Sequence, residues 1–275
     1  MRWEQISLPC EEGGGATTAY RLSPAGEAKR VVLTLHGAGN DAFFAWIGLY
    51  KRLLTAGGQV FTFDLPGHGR FNQTAFTPAA ASASLRTALD ECGTASPELP
   101  LHAIGVSLGG SLLLASLADL QHRFASAALV VAPVRIESSV PALAREVSLR
   151  TLSLLWRERE HYGLTGLIPS FGSFKRDVYP LRLAVDPPAG TFGYVAALNE
   201  ALASLDLEGA ARNVDLPVLL AYGDRDRIVP PRQGARLAGL LRHGELLTVP
   251  GGTHLSTPLE EQTLERLTRW VEEWP

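Results

Sequence analysis

The sequence has little cysteine, no strong excess of charge of one sign and no long hydrophobic run. Its two cysteines, Cys10 and Cys92, lie far apart and form neither a disulfide framework nor a metal motif, so we interpret them as free thiols in a reducing compartment. The formal net charge of −3 does not favour nucleic acid or an anionic membrane as a partner. No apolar run is long enough to span a bilayer, and the first residues lack the apolar core of a signal peptide. We therefore expect a cytoplasmic protein without membrane insertion.

The histidines offer no metal-binding pattern either. His102, His122, His161 and His243 are isolated, and none forms a spaced set with Cys, Asp or Glu of the kind that zinc requires. We expect neither a metal nor a cofactor.

What the sequence does contain is an alternation of strand and helix patterns. Hydrophobic residues make up 46% of the 275 residues, enough for one large α/β core. Short apolar runs predict eight strands, over Trp3–Leu8, Thr17–Leu22, Arg30–Leu35, Gln59–Phe63, Leu101–Val106, Ala127–Val131, Pro217–Tyr222 and Glu245–Val249. Helical patterns lie over Phe43–Ala56, Pro78–Cys92, Leu108–Arg123, Pro231–Arg242 and Leu259–Trp274. The first two strands read as an antiparallel edge, and the rest predict a mostly parallel sheet covered by helices on both faces.

The alternation stops between Val134 and Leu207. This stretch has a helical pattern with mixed faces over Val140–Arg159, followed by scattered glycine, proline and aromatic residues. We interpret residues 135–207 as a helical cap inserted into a core made of residues 1–134 and 208–275.

The pentapeptide Gly105-Val106-Ser107-Leu108-Gly109 is the most informative motif. It stands between a predicted strand and a predicted helix, which is the context of a nucleophile elbow, the tight turn that holds a reactive serine clear of a sheet. The glycines allow chain segments to approach this turn closely. The simpler interpretation is that Ser107 only caps the helix.

A serine nucleophile needs a base, and the base needs an orienting group. Two later strands end in loops that offer them: Asp224 and Asp226 follow one strand, and His254 follows the next. Both loops are expected at the carboxyl edge of the sheet, where ligand sites of open α/β sheets gather. The chain order Ser, Asp, His is typical of elbow-type hydrolases.

With these motifs the chain resembles the α/β-hydrolase superfamily over nearly all of its length outside the insertion. The resemblance implies the α/β-hydrolase fold, with an eight-stranded, mostly parallel sheet and a helical cap. It implies Ser107 as nucleophile, His254 as general base and acid, and Asp226 as the group that orients His254. Asp224 would then be structural and brace the loop.

The resemblance also implies an oxyanion hole after the third strand, at His36-Gly37-Ala38-Gly39. Similar hydrolases use the backbone N–H groups of the residue after His-Gly and of the residue after the nucleophile, here Ala38 and Leu108. Gly39 would be the alternative donor, and His36 would brace the loop without transferring a proton. The loop 64–70 resembles a family loop beside the site, but Phe71 stands where the family usually has serine.

The sequence leaves other functions open. Residues 37–42 fit the Gly-x-Gly-x-x-Ala outline of a dinucleotide site, although this pattern does not explain Ser107, Asp226 or His254. A non-catalytic ligand-binding relative is a further alternative. We predict a serine hydrolase that cleaves small-molecule carboxylic esters of small to medium acyl chains through an acyl-enzyme. Thioesters, amides and carbon–carbon bonds are the alternative substrates, and the sequence predicts no oligomeric state.

Overall fold

The sheet of this protein follows the predicted alternation closely. The computed structural model describes residues 2–9, 16–43, 46–69, 74–137, 146, 148–162 and 191–274. Its strands are β1 Arg2–Pro9, β2 Ala16–Ser23, β3 Arg30–Leu35, β4 Gly58–Phe63, β5 Leu101–Val106, β6 Ser126–Val130, β7 Val218–Gly223 and β8 Gly244–Val249. Each lies within a residue or so of a predicted apolar run.

The strand order is β1-β2-β4-β3-β5-β6-β7-β8. β1 pairs with β2 and β2 with β4 in antiparallel fashion, and every pairing from β4 to β8 is parallel. The carboxyl ends of β5, β7 and β8 therefore meet at one edge of the sheet. The segments that carry Ser107, Asp226 and His254 begin at these ends. Residues 13–15, a run of three glycines that predicts a turn between β1 and β2, lie outside the described residues.

Helices cover both faces of the sheet. They are α1 Ile47–Thr55, α2 Pro78–Ala95, α3 Leu108–Leu120, α4 Leu149–Tyr162, α5 Thr191–Ala203, α6 Leu207–Arg212, α7 Pro231–Leu240 and α8 Glu261–Glu273. Successive strand residues point to opposite faces, so Leu33 joins a core cluster with α2, α3, α6 and α7. Its neighbour Val32 joins a second cluster with α1 and α8. The predicted fold class is confirmed.

Helix α1 begins later than the pattern predicts, at Ile47 rather than Phe43. The carboxylate of Asp64 accepts the backbone N–H of Ala42, and that of Asp41 accepts the N–H of Phe43. These side-chain hydrogen bonds hold residues 41–43 in a bend before the helix.

Most of the predicted insertion lies outside the described residues. The helices described within it are α4 and α5. Helix α4 begins at Leu149, whereas the pattern predicts a helix from Val140, a residue that lies outside the described ones. The domain boundaries stay a prediction. Leu198, Leu202 and Leu207, which come from the insertion side of the second boundary, are buried in the core.

Two further expectations concern the whole chain. None of the described helices is long and apolar enough to cross a membrane. Cys92 is a free thiol buried in α2, and burial raises its pKa to about 12. Cys10 lies outside the described residues.

Candidate active site

Ser107 stands in a strained turn between β5 and α3. Its φ of 48° and ψ of −120° belong to a region that side-chain-bearing residues rarely adopt. A Cβ on Gly105 would lie 2.6 Å from the carbonyl oxygen of Gly109, and a Cβ on Gly109 would lie 2.5 Å from that of His36. The two glycines of the motif therefore allow the strand, the turn and the helix to pack in direct backbone contact.

The turn brings Ser107 to the predicted base and its orienting acid. The Oγ of Ser107 lies 3.0 Å from Nε2 of His254, and Nδ1 of His254 lies 2.9 Å from Oδ2 of Asp226. Although Ser107 occupies the N-cap position of α3, its side chain makes no capping hydrogen bond. Its hydroxyl is therefore directed to the imidazole, against the interpretation that it only caps the helix.

The two aspartates after β7 have different surroundings. The side chain of Asp226 is fully buried, and its Oδ1 accepts the N–H groups of Ile228 and Val229 at 2.9 and 2.7 Å. Asp224 is exposed, and its Oδ1 accepts the N–H of Gly251 at 2.7 Å. Asp226 is thus aimed at His254, while Asp224 ties its own loop to the loop that carries His254.

The electrostatics of His254 suit a base that becomes charged during a reaction. Burial alone would lower its pKa, but the charge and hydrogen bond of Asp226, together with the charge of Glu146, outweigh burial and hold the pKa above the ordinary histidine value. If Asp226 accepts the Nδ1 proton, Nε2 is left as the acceptor that faces the hydroxyl of Ser107.

The predicted oxyanion donors flank Ser107. Leu108 is the first residue of α3, so its N–H has no acceptor within the helix and lies at the positive end of the helix dipole. On the other side, a Cβ on Gly37 would lie 3.2 Å from Cβ of Ser107, which puts the 36–39 loop against the elbow. Ala38 follows in this loop, and Gly39 has a positive φ of 73° that lets the loop turn.

His36 braces this loop in the way that the resemblance implies. Its Nδ1 lies 2.8 Å from the carbonyl oxygen of Gly37, and its Nε2 accepts the N–H of Leu65 at 3.0 Å. Burial and the neighbouring His68 lower the pKa of His36 to about 3. A neutral, buried imidazole with both nitrogens occupied joins two loops and is not placed to exchange protons with solvent.

Val131 lies under the elbow and was not predicted as a residue of the site. This β-branched residue has a φ of 47°, directly after β6. The carbonyl oxygen of Val130 accepts the N–H of Ser107 at 2.8 Å, and Ala132 would contact any Cβ on Gly110 at 2.8 Å. The positive φ turns the chain under α3. No local sequence signal marks it, because valine is not a residue that such a conformation favours.

The described residues contain no group of three or more histidine, cysteine, aspartate or glutamate side chains that could hold a metal ion. Residues 37–42, which fit the dinucleotide outline, form the loop beside Ser107 described above.

A fold with a nucleophile elbow and an ordered Ser-His-Asp set defines a class of hydrolases, and comparison with known proteins identifies the family. The model of the alpha/beta hydrolase family matches residues 32–269. The chain belongs to this family.

Individual relatives narrow the class of enzyme. The chain is 30% identical over 234 residues to the pimeloyl-[acyl-carrier protein] methyl ester esterase of Methylococcus capsulatus, covering 81% of this chain and 87% of that one. It is 23% identical over 257 residues to a 2-hydroxy-6-oxononadienedioate/2-hydroxy-6-oxononatrienedioate hydrolase of Klebsiella pneumoniae, covering 85% and 83%. A carboxyl esterase of Bacillus coagulans has the same fold, with a TM-score of 0.70, 16% identity and coverage of 100% and 99%. The predicted family and the predicted enzyme class, a carboxylesterase-like hydrolase, are confirmed.

Proposed function

We propose that this protein is a serine hydrolase that cleaves carboxylic esters of small to medium acyl chains through a Ser107–His254–Asp226 triad. The observation that carries the proposal is the continuous line of contacts from Ser107 Oγ to His254 Nε2 at 3.0 Å and from His254 Nδ1 to Asp226 Oδ2 at 2.9 Å. A hydroxyl becomes a useful nucleophile when such a base takes its proton.

In the first half of the reaction, Ser107 Oγ attacks the ester carbonyl while His254 Nε2 takes the hydroxyl proton. The developing oxyanion is held by the N–H groups of Ala38 and Leu108, which typically contribute ~3 kcal/mol each to the transition state. His254 then donates its proton to the leaving alkoxide, so that an alcohol departs and an acyl-Ser107 ester remains.

In the second half, water replaces the alcohol. His254 takes a proton from the attacking water, the same donors hold the second oxyanion, and the proton returns to Ser107 as the acid leaves. Asp226 keeps the imidazole oriented through both halves and stabilises its charged form.

Hydrolysis of a p-nitrophenyl ester series from acetate to dodecanoate tests the proposal, with the wild type beside Ser107→Ala. We expect turnover that depends on Ser107, with an optimum at short or medium chains. Since the Methylococcus relative is a methyl ester esterase, aliphatic methyl esters belong in the series. Turnover that survives Ser107→Ala would contradict the triad.

A second candidate is cleavage of a carbon–carbon bond by the same residues. The Klebsiella relative, which hydrolyses a 2-hydroxy-6-oxo dienedioate, is the observation that favours it. Loss of the dienol absorbance of such a substrate, in the absence of turnover of any ester, would favour this candidate over the esterase.

A further inference from the structure

A buried carboxylate from the insertion lies beside the turn that carries His254. Glu146 is 2% exposed, and its Oε2 accepts the backbone N–H of Leu255, the residue after His254, at 3.1 Å. Its other oxygen, Oε1, is buried without a hydrogen-bond partner in the described part of the chain. The triad described above gives this carboxylate no task.

Other groups on the same stretch hold the same turn. Arg150 forms an ion pair with Glu260 at 2.7 Å, and Arg157 donates to the carbonyl oxygen of Leu259 at 2.7 Å. Glu146, by contrast, reaches the turn beside the imidazole itself. The insertion therefore contacts the 254–260 segment at several residues. Of these contacts, the one from Glu146 to Leu255 lies nearest to His254 in sequence.

We propose that Glu146 is a positioning residue for His254, which fixes the turn through the N–H of Leu255 and presents a second negative charge to the imidazole. The proposal rests on the proposed function, in which His254 is the base. It adds a group from the insertion to a triad built entirely from the core.

The charges around the imidazole support this role. Among the described residues, the ionisable side chains that act on His254 are Asp226, from the loop after β7, and Glu146, from the insertion, and both raise the pKa of His254 against the effect of burial. Burial raises the pKa of Glu146 itself, partly offset by the N–H of Leu255. Both carboxyl groups therefore favour the imidazolium that forms during catalysis.

Two substitutions of Glu146 separate its hydrogen bond to the turn from the effect of its charge on His254. Glu146→Gln keeps an oxygen that accepts the N–H of Leu255 but removes the charge. Glu146→Ala removes both and leaves that N–H without its partner. The matched control is Glu158→Gln, because Glu158 is also a buried carboxylate of the insertion, on α4, but accepts the N–H of Gly48 on α1 at 2.9 Å. It holds the insertion without touching the His254 turn.

Two readouts are measured against pH: the rate at which a fluorophosphonate labels Ser107, and the NMR titration of the His254 imidazole, assigned with His254→Ala. We expect Glu146→Gln to move both midpoints to lower pH, while Glu158→Gln leaves both where the wild type has them. We expect Glu146→Ala to lower the maximal labelling rate as well, by about tenfold, because the base is no longer held in place.

Wild-type midpoints in Glu146→Gln would overturn the proposal, as would an equal shift in Glu158→Gln. If Glu146→Ala does not fold, the glutamine variant still decides. If the wild type is not labelled at any pH, the proposed function fails, while the NMR titration still shows whether Glu146 acts on His254.

Discussion

At the scale of single residues, the two aspartates after β7 are the sharpest test of the triad. The Asp226 side chain is fully buried against His254, whereas Asp224 is exposed and accepts the N–H of Gly251. In Asp226→Asn the amide oxygen can still accept the N–H groups of Ile228 and Val229, so the NH2 group faces Nδ1 and the imidazole loses its correct tautomer and its countercharge. We expect kcat to fall by about 10³- to 10⁴-fold, the size of loss seen when the carboxylate of such a triad is replaced by a neutral group.

Asp224→Asn is the control for this substitution. It retains an oxygen that can accept the N–H of Gly251, so kcat on a p-nitrophenyl ester should fall far less than in Asp226→Asn. Equal losses in the two variants, or a larger loss at Asp224, would reverse the assignment of the acid.

The pH profile depends on His254. Only the neutral imidazole can take the proton of Ser107, so kcat/KM should rise with pH through the pKa of His254 in the free enzyme. Because Asp226 holds that pKa above the ordinary value of ~6.5, the acid limb should have its midpoint above pH 6.5. Initial rates on a soluble ester from pH 5 to 9 measure it, and a midpoint at or below 6.5 would contradict the electrostatics described here.

The residues of the site differ in how visible they are in the sequence. Ser107 and His254 stand in local patterns of glycine and strand ends, which predict that they lie close together. The choice of Asp226 over Asp224 came from the family resemblance. Glu146 and Val131 carry no such pattern. Their roles come from which backbone group they lie against, and this depends on packing between segments far apart in the chain.

At the scale of elements, the elbow depends on glycines that have no room for a side chain. In Gly109→Ala the new methyl would lie 2.5 Å from the carbonyl oxygens of Leu35 and His36, which are backbone atoms of β3 and the loop after it. The strand or the helix must shift, and we expect a loss of about 1–3 kcal/mol in the free energy of unfolding, measured by urea denaturation. Activity should fall too, since both sides of the oxyanion hole move.

Gly239→Ala is the matched control in another helix. Gly239 is exposed on α7, and a Cβ there would meet nothing within 4 Å. Alanine in a helix is favoured over glycine by roughly 0.5–1 kcal/mol, so this variant should be slightly more stable and fully active. If both variants changed stability alike, the close packing of the elbow would not be the cause.

Strands were predicted more accurately than helices, for a physical reason. A strand buried on both faces is a short apolar run, as β3 to β7 are. The edge strands β1 and β8 are largely exposed, but their runs also became strands. The bend before α1 involves a distant residue instead, because the carboxylate of Asp64 accepts the N–H of Ala42. Helix α6 is short and follows its N-cap Asp206, which has a positive φ of 41° and accepts the N–H of Gly209, so its apolar pattern was too brief to detect.

At the scale of the whole molecule, the order of strands lay beyond the sequence. The runs predict a parallel sheet with an antiparallel edge, but they do not specify that β4 lies between β2 and β3. That order follows from how helices on the two faces connect the strands. For function, the parallel direction of β5 to β8 matters more, because it puts the carboxyl ends of β5, β7 and β8 on one edge.

The protein also buries several neutral histidines, and this sets its stability in acid. Burial lowers the pKa of His36 to about 3 and those of His68 and His102 to about 4. Between these values and ~6.5 the unfolded chain binds protons that the folded protein does not, so stability should fall as pH falls below 6.5. Each histidine contributes a slope of up to ~1.4 kcal/mol per pH unit, and the carboxyls of Glu146 and Glu158, whose pKa values burial raises, oppose it.

Urea denaturation at several values between pH 7 and 5 measures this slope. His102→Asn removes one titrating group while its amide can still bond Ser126, which His102 Nδ1 contacts at 2.9 Å. The variant should therefore lose stability less steeply in acid than the wild type, whatever its stability at pH 7. His122→Gln, at an exposed position, should keep the wild-type slope. If His102→Asn also kept that slope, protonation of His102 would not contribute to the loss of stability in acid.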